Sequence, residues 1–133
     1  MLKNNYHAFI SAIIITGGYP SSNYRSVEIL RENGSYWCSL PDLPNERYSH
    51  VQSGLIACGG GGHSTSSAIR KSCLTFSSGQ WTKSHELQIL RYRGSSWMSP
   101  EGLILLGGYG QWYTSEMLLD DGGSKQSFAT QAI

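Results

Sequence analysis

Ile13-Ile14-Ile15-Thr16-Gly17-Gly18, Leu55-Ile56-Ala57-Cys58-Gly59-Gly60 and Leu103-Ile104-Leu105-Leu106-Gly107-Gly108 decide how this chain folds. Each is a short apolar run closed by two glycines. Such a run reads as a strand buried on both faces. The glycine pair marks a sharp turn beside neighbouring strands, where the backbone needs positive φ or close approach. The pairs stand 42 and 48 residues apart, a period typical of structural repeats.

Further markers recur around each run. Downstream come Ser26-Val27-Glu28-Ile29-Leu30, Ser72-Cys73-Leu74-Thr75-Phe76 and Ser115-Glu116-Met117-Leu118-Leu119. Glycine turns follow at Asn33-Gly34, Ser78-Gly79 and Gly122-Gly123, and then an aromatic: Trp37, Trp81 and Phe128. Upstream lie His7, Arg47-Tyr48-Ser49-His50 and Arg91-Tyr92-Arg93-Gly94. Each repeat therefore reads as four short strands: one with the histidine marker, the apolar run, the Ser-led strand and the aromatic strand, with a hairpin turn between the last two. No segment has a helical period. The apolar stretch within Met1–Thr16 is as long as a short signal-peptide core, but the repeat assigns it to a strand pair instead.

This order of markers resembles the kelch repeat of the galactose oxidase/kelch superfamily, over essentially the whole chain. The family's double glycine matches Gly17-Gly18, Gly59-Gly60 and Gly107-Gly108. Its tryptophan matches Trp37 and Trp81, with Phe128 in the third repeat. The stretch Trp37 to Arg47 is similar to the family's tryptophan-to-arginine segment. The third-strand tyrosine is replaced by Leu30, Phe76 and Leu119, and Gly94 stands where a histidine belongs. The resemblance implies an all-β fold: three four-stranded antiparallel blades of a kelch-type β-propeller, at about 2–44, 45–87 and 88–133, with the tryptophan packed inside its own blade. Propellers have about four to eight blades, so three make half of a six-bladed ring. The chain is then a fragment of a larger propeller, or a half that closes the ring by self-association.

Strand alternation within a blade puts two sets of loops on one face: those between second and third strands, and those leading to the next blade. That face collects Tyr19, Tyr24, Arg25, Arg47, His63, Arg70, Arg91, Tyr109, Trp112 and Tyr113 as candidate partner-binding residues. Tyrosine, arginine and tryptophan on loops over a rigid scaffold suit recognition; the alternative is a merely solvated turn surface. His7 and His50, as repeat markers, read as structural hydrogen-bonding residues.

Charged residues make up 14% of the 133 residues and the net charge is +1, which argues against binding nucleic acid or an anionic membrane. No run reaches the ~18–20 apolar residues of a membrane span. Of three cysteines, Cys58 ends the second strand and Cys73 begins the third strand of one repeat. They can meet as a disulfide across adjacent strands or remain buried thiols. A disulfide implies an extracellular, oxidising setting; without it a cytoplasmic one is open. Cys38 has no evident partner. No phosphate loop, nucleophile elbow, paired carboxylates or metal spacing occurs, so no catalytic, cofactor or metal site is assigned. The resemblance implies a non-enzymatic module that binds a protein or peptide. The alternatives are a fragment of a secreted galactose-oxidase-like enzyme, whose copper set has no match here, and a carbohydrate-binding propeller.

Overall fold

The computed structural model describes residues 12–18, 24–31, 34–61, 70–109 and 113–128. They form eleven strands: β1 (Ala12–Thr16), β2 (Val27–Arg31), β3 (Cys38–Leu40), β4 (Val51–Ser53), β5 (Ile56–Cys58), β6 (Ser72–Ser77), β7 (Gln80–Glu86), β8 (Ser95–Ser99), β9 (Gly102–Leu106), β10 (Thr114–Leu118) and β11 (Ser124–Phe128). These make three antiparallel sheets, ordered β1-β2-β3, β4-β5-β6-β7 and β8-β9-β10-β11. The chain is all-β, and within each sheet every strand pairs with its neighbours in sequence. The strand expected around His7 lies outside the described residues.

The strands β4 and β8 start after their Arg-Tyr markers and do not contain them. Ser49 and Arg93 have φ of 55° and 59°, which no strand accommodates. The markers form corners instead, and Arg93 N–H donates to Ser49 O at 2.7 Å, tying one corner to the next. The third repeat is also displaced by one residue. Gly17, Gly59 and Gly107 donate to the carbonyls of Ser26, Ser72 and Thr114, so Thr114 and not Ser115 is the equivalent position. By the same register Trp81 lies opposite Phe76 and Ser124 lies opposite Leu118. Ser124 therefore holds the place of Trp81. Phe128 pairs with Thr114 at the far end of the hairpin; its side chain lies outside the described residues.

The core is two layers between sheets. Val27, Leu43, Ala57, Leu74 and Trp81 fill the first, with Ile14, Leu40 and Phe76 against them. Val51, Cys58, Cys73, Leu87, Leu103, Leu105 and Leu118 fill the second, with Ile56 alongside. In a strand successive side chains face opposite ways, so Ala57 and Cys58 serve different layers and the central sheet is covered on both sides. Trp81 illustrates how the aromatic marker works: its ring packs against Phe76 at 5.3 Å and its Nε1–H donates to Pro41 O at 3.0 Å. It bridges to the preceding sheet and does not stay within its own. Trp37, in the equivalent register, is 41% exposed, because no earlier sheet covers it among the described residues.

Where the central sheet uses Leu74 and Trp81, the third sheet uses Glu116 and Ser124. Glu116 is fully buried. Its Oε1 accepts from Ile89 N–H (3.0 Å) and Arg91 Nε (3.2 Å), and its Oε2 accepts from Gln88 N–H (2.8 Å) and Ser124 Oγ (2.7 Å). A charge removed from water is tolerated only when its partners are this complete. The carboxylate thus anchors the stretch 88–91 to the third sheet.

Cys58 and Cys73 face each other across β5 and β6 and form a disulfide. Both sulfurs sit in the second core layer, while Cys38 is a free, exposed thiol. Denatured but unreduced protein should therefore titrate one thiol with Ellman's reagent, and three after reduction; three without reductant would exclude the bond. Replacing both half-cystines with alanine should cost about 2–3 kcal/mol in urea unfolding, since the bond closes a loop of 15 residues in the unfolded chain.

Candidate binding face

The face is organised by a joint that occurs twice. Gly17 and Gly59 adopt positive φ (56° and 67°). A Cβ on either would collide with the carbonyl oxygen of Arg47 or Arg91, respectively. The second glycine of each pair donates its N–H to that same carbonyl: Gly18 to Arg47 O at 3.1 Å and Gly60 to Arg91 O at 2.7 Å. Each arginine side chain turns back into its own sheet. Arg47 Nη1 donates to Gly59 O (2.8 Å) and Ser72 O (2.9 Å). Arg91 Nη1 donates to Gly107 O (2.8 Å) and Thr114 O (3.3 Å). One residue thus grips the glycine pair of the preceding sheet with its backbone and that of its own sheet with its guanidinium.

That geometry removes Arg47 and Arg91 from the candidate contact residues. Both are buried, and burial lowers the Arg47 pKa to about 10. Their donors serve carbonyls that would otherwise lose hydrogen bonds on leaving water. Sequence alone shows an arginine in a connecting loop; it does not show which carbonyls surround it.

The joints instead present tyrosines. Tyr48 and Tyr92, which follow the two arginines, each pack against another ring. Tyr24 lies 5.9 Å from Tyr48, and Tyr109 lies 5.3 Å from Tyr92. Tyr109 N–H also donates to Tyr92 O at 2.9 Å. Tyr109 is 54% and Tyr113 82% exposed. The structure thus brings Tyr24 and Tyr109 into the same row of joints and adds Tyr48 and Tyr92, whose signal in the sequence was the repeated Arg-Tyr pair. Arg25 is exposed, and its Nε donates to Leu43 O at 2.6 Å, while Arg25 O accepts from Leu43 N–H. Arg70 is half-buried just ahead of β6. Tyr19, His63 and Trp112 lie outside the described residues. The start of the loop leading to the third repeat, which strand alternation put on this face as His85 to Arg91, instead contacts the third sheet: His85 Nε2 lies 2.9 Å from Leu119 O, and Glu86 N–H donates to Gly122 O.

Beneath the face, His50 joins the first two sheets. Thr16 Oγ1 donates its single proton to Gln52 Oε1 at 2.8 Å. It must therefore accept from His50 Nε2, 2.5 Å away. His50 is neutral, protonated on Nε2, and its Nδ1 is buried with no partner among the described residues. Burial, reinforced by the charge of Arg47, lowers its pKa from 6.5 to about 4. The unfolded state then binds more protons between these values, so this contribution to stability is full above pH 6.5 and is lost as pH falls towards 4. The expected loss is about 2 kcal/mol, because some solvent still reaches the ring. His50→Gln should flatten the wild-type difference in urea midpoint between pH 7 and pH 4.5; an unchanged difference would contradict it.

Among the described residues no three His, Cys, Asp or Glu side chains are grouped to hold a metal ion. No helix among them is long and apolar enough to cross a membrane. No family model matches the chain, and no curated protein matches it.

Proposed function

We propose that the three sheets are blades of a kelch-type β-propeller and that the tyrosine-bearing loop face binds a protein or peptide. The observation that carries this reading is the row of tyrosines, Tyr24–Tyr48 and Tyr92–Tyr109, set on backbone held by the arginine–glycine joints. Tyrosine supplies large contact area with few rotatable bonds, and a fixed backbone lowers the ordering cost of binding. The repeat markers and the four-stranded meanders of the second and third sheets support the propeller reading. The Cys58–Cys73 bond favours an oxidising compartment.

The test is selection of peptides from a displayed library on the purified chain, followed by titration. Tyr109→Ala with Tyr113→Ala should weaken selected peptides at least tenfold while lowering the melting temperature only slightly, by the loss of the Tyr92–Tyr109 ring contact, because Tyr113 is largely and Tyr109 about half exposed. Substitutions at Ser78 and Glu101, in turns at the other ends of the strands, should have no effect. Peptides indifferent to the tyrosines, or no peptides at all, would defeat the reading. Binding to a glycan array that depends on the same tyrosines would favour a carbohydrate ligand instead.

A further inference from the structure

The molecule shows twice what covers each face of its sheets, and among the described residues its two end faces lack that cover. The outer face of the first sheet carries Ile13, Ile15, Leu30 and Trp37. These occupy the register of the central-sheet residues that pack on the first sheet, Ile15 corresponding to Ala57, Leu30 to Phe76 and Trp37 to Trp81. Yet Ile13 is 58% and Ile15 49% exposed. The outer face of the third sheet carries Trp97, Ile104, Leu106 and Met117, since directly opposed residues share a face. Leu106 stands where the central sheet places Cys58 and the first sheet Thr16, both buried against the next sheet. Leu106 and Trp97 are exposed.

The two faces are thus opposite halves of one interface that already occurs between the first and second and between the second and third sheets. They are not two copies of the same half. Charge agrees with this pairing. The first outer face carries the carboxylate Glu28, opposite Ile15, and the third carries the ammonium of Lys125, opposite Met117. Exposed apolar faces of this kind mark association surfaces, and a contact between unlike faces satisfies every copy only if the assembly closes.

We infer that the isolated chain binds a second copy of itself head to tail, the third sheet of each copy stacking on the first sheet of the other. Both end faces are then covered in a closed pair. The inference rests on the stacking of the sheets and not on what the loop face binds, so peptide binding and association are tested separately.

Sedimentation velocity on the wild-type chain should give twice 14.6 kDa at micromolar concentration. Ile15→Glu and Leu106→Glu each disable one face, and each alone should sediment as a monomer with an unchanged circular dichroism spectrum. An equimolar mixture of the two retains one intact junction, so it should recover a two-copy species that neither forms alone. Trp97→Glu repeats the Leu106 arm with a second side chain. A wild-type monomer, a mass that climbs beyond two copies, variants that leave the pair intact, or a mixture that stays monomeric would overturn the inference.

Discussion

Gly59→Ala is expected to destabilise the chain by about 2–5 kcal/mol, enough at the upper end to leave a small domain largely unfolded. Two effects add. An alanine at φ 67° costs about 1–2 kcal/mol in the left-handed region. Its Cβ would also meet the Arg91 carbonyl oxygen, with the Arg70 carbonyl 3.3 Å away on another side. Neither obstacle is a side chain that can rotate aside, so relief requires the second and third sheets to separate. Overpacking of that kind costs a further ~1–3 kcal/mol. Gly54 separates the two terms. Its φ is 53° but nothing lies within 4 Å of its Cβ position, so Gly54→Ala should show the conformational cost alone, about 1–2 kcal/mol. Urea unfolding of the two variants measures the difference. Equal losses would mean that the close approach to Arg91 is not a feature of the folded chain.

Glu116→Ala should cost about 3–5 kcal/mol, the range for breaking one side of a buried ion pair. The substitution strands the Arg91 guanidinium in the interior and leaves the N–H groups of Gln88 and Ile89 without an acceptor. Each stranded donor costs about 1–3 kcal/mol if water cannot reach it. The double variant Glu116→Leu with Arg91→Met should lose less than the sum of the single changes, because neither charge is left alone. A Glu116→Ala loss below about 1 kcal/mol, the range of an exposed pair, would place the carboxylate in water.

These two positions mark the limits of what the sequence discloses. The glycine pairs were legible because a positive φ beside another backbone admits only glycine, and that demand is local. The all-β class followed from short apolar runs between glycine turns for the same reason. Glu116 was not legible as a core residue: it sits where the other repeats place Glu28, which is exposed, and Leu74, which is buried. Its burial depends on the 88–91 stretch arriving from another part of the chain. The shift of one residue in the third repeat went unseen because Ser115 imitates Ser26 and Ser72, while the backbone bond belongs to Thr114. Trp37 and Trp81 share one marker and differ in exposure, because tryptophan packs across to a preceding sheet that, among the described residues, only Trp81 has. On the candidate face, alternation pointed to Tyr24 and Tyr109 but not to their ring partners Tyr48 and Tyr92. Arg47 and Arg91 could not be, since their donors are drawn inward by carbonyls contributed from residues 12 to 25 positions away.

The repeated glycine pairs hold the stacked sheets together through the arginine carbonyls. Amide hydrogen exchange of Gly18 and Gly60, read residue by residue by NMR, tests it most directly. Both amides lie outside the strands, yet each donates to an arginine carbonyl across a sheet boundary. They should exchange as slowly as the amides of the strands β5 and β6, and Arg91→Ala, which removes the guanidinium that anchors the second joint, should release Gly60 more than Gly18. Exchange of both at the rate of an unstructured peptide, in protein whose strand amides remain protected, would show that the sheets form without the joint and would contradict the account.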